Sequence, residues 1–135
     1  MEYDCLIAAA SEARKTAYVP YSRFPVGAAV MASSGHVYTG CNIENASYGL
    51  TLCAERTAIF KAITAGERRI VSVAVIADTP QPTAPCGACR QVMAEFGVET
   101  VIMASICGKN HTMRLSALLP NAFKQDDLGV ESREE

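Results

Sequence analysis

Ile70-Val71-Ser72-Val73-Ala74-Val75-Ile76-Ala77 is a continuous apolar run of strand length, interrupted only by Ser72. A strand with one wet face alternates, so a run that does not alternate reads as a strand covered on both faces. Downstream, a loop with three prolines (Pro80, Pro82, Pro85) leads into a helical pattern carrying Ala88, Val92, Met93 and Phe96, closed by Gly97. Thr100 to Ala104 is a second apolar strand, with a weak one at His111 to Arg114. Upstream, Cys53 opens a helix with Ala54, Ala58, Ile59, Ala62 and Ile63 on one side and Gly66 as its cap. Before it, Val26 to Met31 and His36 to Gly40 form a hairpin turning at Ser33-Ser34-Gly35, followed by a loop from Asn42 to Leu50. Residues 2 to 17 present Leu6, Ala10, Ala13 and Ala17 on one helical face. The order is α-β-β-α-β-α-β with a weak final strand. Its second half predicts parallel strands with helices on the faces of the sheet, an α/β fold.

The chain has 135 residues, half of them apolar and 19% charged, which excludes a disordered chain and fits one domain over 1–135 with a charged, partly ordered tail at 124–135. No apolar run approaches the ~18 residues of a membrane span. The acidic start Met1-Glu2-Tyr3-Asp4 is unlike a secretory signal, so a cytoplasmic protein is expected. The tail holds five acids and two bases, leaving ten bases and nine acids, net +1, in the other 123 residues. No basic stripe is visible, the only paired bases being Arg68-Arg69, so polymeric nucleic acid is not an expected partner. Six cysteines without an export signal point to metal or redox chemistry rather than a disulfide framework.

Cys53-Ala54-Glu55 and Pro85-Cys86-Gly87-Ala88-Cys89 each fall where a loop becomes a helix. Helix N-termini carry free N–H groups and partial positive charge, which stabilise thiolates. Cys86 and Cys89 share a first turn, and Cys53 supplies a third sulfur, each about 2.3 Å from a zinc ion. Three protein ligands leave the fourth position for water, the catalytic arrangement. Three thiolates and Zn²⁺ sum to a charge of −1, which Arg56 and Arg90 are placed to offset by donating to sulfur. Glu55, two residues from Cys53, is placed to accept the water's proton, its pKa raised by a dry pocket beside an anionic centre. Taken alone, the Cys-x-x-Cys also reads as a redox motif, or as half of a structural site completed by Cys41 or Cys107. Cys5, Cys41 and Cys107 are expected as small buried hydrophobes. His36 and His111 are expected on solvated surface.

Together with Pro20-Tyr21-Ser22-Arg23-Phe24, Gly40-Cys41-Asn42-Ile43-Glu44-Asn45 and Leu118-Leu119-Pro120-Asn121-Ala122-Phe123, these segments resemble the cytidine deaminases of pyrimidine salvage, in family order over about residues 5 to 128. The resemblance implies a three-layer α/β/α sandwich around a mixed five-stranded sheet. It implies one zinc per chain on Cys53, Cys86 and Cys89, the branch with three cysteine ligands. It also implies hydrolysis of cytidine and 2′-deoxycytidine to uridine and 2′-deoxyuridine with loss of ammonia: zinc-held water attacks C4 as hydroxide while Glu55 shuttles protons. Asn42 and Glu44 would bind the ribose hydroxyl, Phe24 would pack on the pyrimidine, and the Ala54 N–H would contact the base carbonyl. The family branch is homotetrameric, with Tyr48 and Phe123 reaching a neighbour's site. A structural zinc or redox module leaves Glu55 and Asn42-Ile43-Glu44-Asn45 without a purpose, and an enzyme editing bases in a polymer would want a basic approach.

Overall fold

Strand β3 (Ile70–Ala77) is the apolar run itself, at the centre of a five-stranded sheet in a computed structural model that describes residues 3–129. The sheet order is β2-β1-β3-β4-β5, with β1 at Val26–Ala32, β2 at Val37–Cys41, β4 at Thr100–Ser105 and β5 at Asn110–Arg114. β3 pairs antiparallel with β1 (Val26 opposite Ala77) and parallel with β4 (Ser72 opposite Thr100), so the sheet is mixed. The parallel pair needs a crossover, and helix α3 (Gly87–Glu95) provides it. β2 and β5 are antiparallel edge strands. His36 lies in the turn before β2 rather than in the strand, and the weak strand at His111–Arg114 is real, starting one residue earlier at Asn110.

Alternate residues of the central strands serve opposite helices. Ala29, Ala74, Ile76, Ile102 and Ala104 pack with Leu6 and Ala10 of α1 (Asp4–Arg14). Val30, Val73, Val75 and Val101 pack with Ala58, Ile59 and Ala62 of α2 (Ala54–Thr64) and Met93 of α3. This is the expected α/β/α sandwich. Helix α1 stops at Arg14, short of the predicted Ala17. Thr16 and Ala17 donate instead three residues back, and Tyr18 N turns to pair with Asn42 O at 3.0 Å.

Two glycines set how closely the helices lie on the sheet. A Cβ on Gly27 would come within 1.9 Å of Ala10 O in α1, and one on Gly40 within 2.5 Å of Ala58 N and 2.9 Å of Ala54 O in α2. No side chain fits at either crossing. Close packing at Gly40 presses the first turn of α2, with Cys53 and Glu55, against the end of β2 that leads to Asn42 and Glu44.

Cys5, Cys41 and Cys107 depart from the expectation of burial: Cys5 and Cys107 are exposed and Cys41 is half-buried. Cys5 falls beside the Leu6–Ala10 stripe of α1, Cys41 ends an edge strand, and Cys107 sits in the β4–β5 turn. His36 and His111 are exposed as expected, although His36 Nδ1 lies 3.2 Å from Ser34 Oγ and 3.6 Å from the Glu67 carboxylate. Arg69 pairs with Glu99 at 2.9 Å on the surface. The tail turns once at Gln125–Leu128, and residues 130–135 of it lie outside the described residues.

Candidate active site

Cys53 is the N-cap residue of α2 and Cys86 the N-cap residue of α3, both with extended backbone, so the two helix N-termini meet. Cys53 Sγ lies 3.7 Å from Cys86 Sγ, and Cys86 Sγ lies 3.3 Å from Cys89 Sγ. The Cys89 N–H also donates to Cys86 Sγ at 3.4 Å, one of the free N–H groups of that first turn. A disulfide would bring two sulfurs to about 2 Å, and all six cysteines are free. Among the described residues, only these three form a cluster able to hold a metal ion.

The surroundings of Cys53 favour its thiolate. Its thiol is pulled down to about 5 by donation from Cys89 and, after that, from Arg56, whose Nη2 is 3.4 Å from the sulfur. Cys89 is pushed upward for the complementary reason, its bond to Cys53 and its burial. Glu55, in the first turn of α2, is 4% exposed. Loss of solvation raises its carboxyl from 4.5 to about 7, and the Cys53 charge adds to that against the pull of its own backbone N–H.

Above these groups lies a cavity of about 320 Å³ whose walls include Phe24, Asn42, Glu44, Cys53, Ala54, Glu55 and Cys86. Glu44 accepts from Tyr21 N at 3.0 Å, Ser22 N at 3.1 Å and the Ser22 hydroxyl, which together hold its carboxyl below the usual range, the hydroxyl foremost. Asn42 Oδ1 accepts from Val26 N and its Nδ2 donates to Phe24 O, both at 2.9 Å. The amide therefore aims the Phe24 loop, with one proton and one lone pair left over. Tyr48 lies outside this cavity, in an adjoining hollow that shares Ser22, Glu44 and Thr51, and its ring meets Tyr21 edge-on at 5.8 Å. Phe123 lines neither space; its carbonyl accepts from Gln91 Nε2 at 2.7 Å.

Residues 2–105 match the sequence model of the family described as the cytidine and deoxycytidylate deaminase zinc-binding region. The chain belongs to that family. A curated cytidine deaminase of Sporosarcina psychrophila is 52% identical over 130 residues, 95% of this chain and 96% of that protein. One of Halalkalibacterium halodurans is 53% identical, covering 95% of this chain and 98% of that protein. The solved cytidine deaminase of Burkholderia pseudomallei superposes with a TM-score of 0.87 at 50% identity, over 91% of this chain and 100% of that one.

The cluster fits the family's zinc. Sulfurs about 2.3 Å from a tetrahedral ion lie about 3.8 Å apart, close to the spacings here, and the thiolate donor set suits zinc. Arg56 meets the expectation of a guanidinium at a ligand sulfur. Its Nη2 donates to Cys53 Sγ at 3.4 Å, while its Nε is buried without a hydrogen-bond partner among the described residues. Arg90 does not meet it: Nε donates to Pro85 O at 2.9 Å and Nη1 to Leu118 O at 2.8 Å. Helical side chains lean toward the N-terminus, and at Arg90 that lean leads to a free carbonyl before the helix.

Sequence reasoning left four residues unassigned: Ser22 and Tyr21, which hold Glu44, and Thr83 and Ala84 in the wall of the cavity. Thr83 and Ala84 directly precede Pro85, and that adjacency was the available signal. The Ser22–Glu44 bond spans 22 residues, and no local pattern announces it.

Proposed function

We propose that this chain is a zinc-dependent cytidine deaminase of pyrimidine salvage, hydrolysing cytidine and 2′-deoxycytidine to uridine and 2′-deoxyuridine with release of ammonia. The observation that carries the reading is Glu55, a buried carboxyl held near neutrality between the three-sulfur cluster and the cavity. Cys53, Cys86 and Cys89 would hold zinc, which when bound supplies the Lewis acidity that makes water a nucleophile at neutral pH. Glu55 takes one proton of the attacking water and delivers it to N3 as the C4–O bond forms; it then takes the second proton, from the new C4 hydroxyl, and passes it to the amino group, which leaves as ammonia while the C4 carbonyl forms. Ala54 opens α2, so its N–H has no intrahelical acceptor and is available to the base carbonyl. Phe24 covers the pyrimidine, and Asn42 with Glu44 takes the ribose hydroxyl.

Charge favours a nucleoside over a nucleotide. No Lys, Arg or His lines either cavity among the described residues, and both carboxylates there, Glu44 and Glu55, oppose a phosphate. The exposure of Tyr48 (73%) and Phe123 (57%) supports a homotetramer in which each reaches a neighbour's site. The free thiols fit a reducing, cytoplasmic setting. The test is uridine and ammonia release by the zinc-loaded protein. Cytidine should be preferred over cytidine 5′-monophosphate by about 10²-fold or more in kcat/KM, since opposed like charges cost several kcal/mol. Preference for the nucleotide would overturn the reading.

A further inference from the structure

We propose that Arg90 is a positioning residue that ties residues 115–129 to the metal loop, so that occupation of the three-cysteine site sets how firmly this C-terminal segment is held. The inference rests on the reading that Cys53, Cys86 and Cys89 hold zinc. One guanidinium serves two acceptors on different segments: Pro85 O, immediately before Cys86, and Leu118 O, at the end of helix α4 (Leu115–Leu118). The last carbonyls of a helix have no donor of their own, and a four-residue helix does not sustain itself, so α4 depends on outside partners.

Leu115 is buried in the core and its N–H donates to Glu99 O at 2.9 Å, but most of the segment beyond it is exposed. A cavity of about 270 Å³ separates it from α3, with Ala94 and Val98 on one side and Leu119, Pro120 and Lys124 on the other. Its remaining polar ties to α3, Gln91 Nε2 to Phe123 O at 2.7 Å and Gln125 Nε2 to Glu95 at 3.2 Å, do not touch the metal loop. Arg90 does. An ion on Cys86 fixes the N-cap of α3 and, with it, the adjoining Pro85 carbonyl. When Cys86 is released that carbonyl is free to turn, and Arg90 loses one of the two points that aim it at Leu118. Lysine cannot replace this fork, because one ammonium on a flexible stem does not span two fixed carbonyls equally well.

The experiment is backbone amide exchange by mass spectrometry, with zinc counted in parallel, on wild type, Arg90→Lys and Gln91→Ala, each zinc-loaded and after chelation. In the wild type, chelation should speed exchange across residues 115–124 by about tenfold, the scale expected for losing a charge-assisted bond. Zinc-loaded Arg90→Lys should already exchange fast there, and chelation should add little. Gln91→Ala, which loses only the Phe123 contact, should still respond to chelation. Exchange in the wild type that is indifferent to zinc, or an Arg90→Lys segment that stays fully zinc-responsive, would overturn the proposal. A chain that takes up no zinc would overturn both the proposal and the reading beneath it.

Discussion

Glu55 must be ionised to take a proton from water, yet its surroundings favour the protonated form. Burial raises its carboxyl from 4.5 to about 7, and below that value it carries the proton and cannot serve as base. The rate should therefore fall as pH falls, with an acidic limb near pH 7 in kcat/KM and a slope approaching one decade per pH unit. A flat profile between pH 5 and 8 would remove Glu55 as the base. Arg56 offers a second test at this scale. Arg56→Ala should weaken zinc retention or activity by about 10–100-fold, the usual cost of losing a group that supports a metal ligand. Zinc content after dialysis and turnover, both unchanged, would sink the compensation argument. Cys86 and Cys89 were legible as a pair because both fall within one helical turn, whereas Cys53, 33 residues earlier, joined them only through a second motif at another helix start. Arg90 was misread because adjacency to Cys89 does not tell which way a guanidinium runs, and the carbonyl of Leu118, 28 residues away, decides that.

At the scale of elements, the continuous runs of β3 and β4 could be read directly, since burial on both faces leaves no alternation to misinterpret. The helix starts at Cys53 and Cys86 were equally plain. The helix end that was missed is the one a distant partner sets: α1 ends at Arg14 because Tyr18 pairs with Asn42, whereas β5, exposed along most of its length, was read to within one residue of its start. The tight seat of α2 on β2 was invisible too, since a glycine in a strand does not say what lies above it. Gly40→Ala would drive a methyl into the α2 backbone. It should destabilise the protein by roughly 3 kcal/mol, lowering Tm by about 10 °C. Gly49→Ala, where a Cβ would meet nothing within 4 Å, should leave Tm nearly unchanged. Equal effects in thermal unfolding would show that the α2–β2 crossing does not constrain the fold.

Across the whole molecule, the sheet serves as the platform that brings two helix N-termini together over one end of β3, with Val75 in the cavity wall. The loops Pro20–Phe24 and Asn42–Glu44, far apart in sequence, close the opposite side through the Ser22–Glu44 and Asn42–Phe24 bonds. Family resemblance predicted that these segments share a site; local patterning alone left them as unconnected loops. No helix among the described residues is long and apolar enough to cross a membrane. Tyr48, Leu50 and Phe123 are exposed apolar side chains, and in the proposed homotetramer Tyr48 and Phe123 would face a neighbouring copy. The central claim is that the cluster holds zinc for a hydrolysis in which Glu55 moves the protons. The most direct measurement is zinc content alongside uridine and ammonia release from cytidine, for the wild type and Glu55→Ala. Both proteins should carry one zinc per chain, and the variant should lose about 10²–10⁴-fold in turnover, the usual share of general acid–base catalysis. Near-normal turnover in the variant, or a zinc-loaded wild type that releases no uridine, would contradict the account.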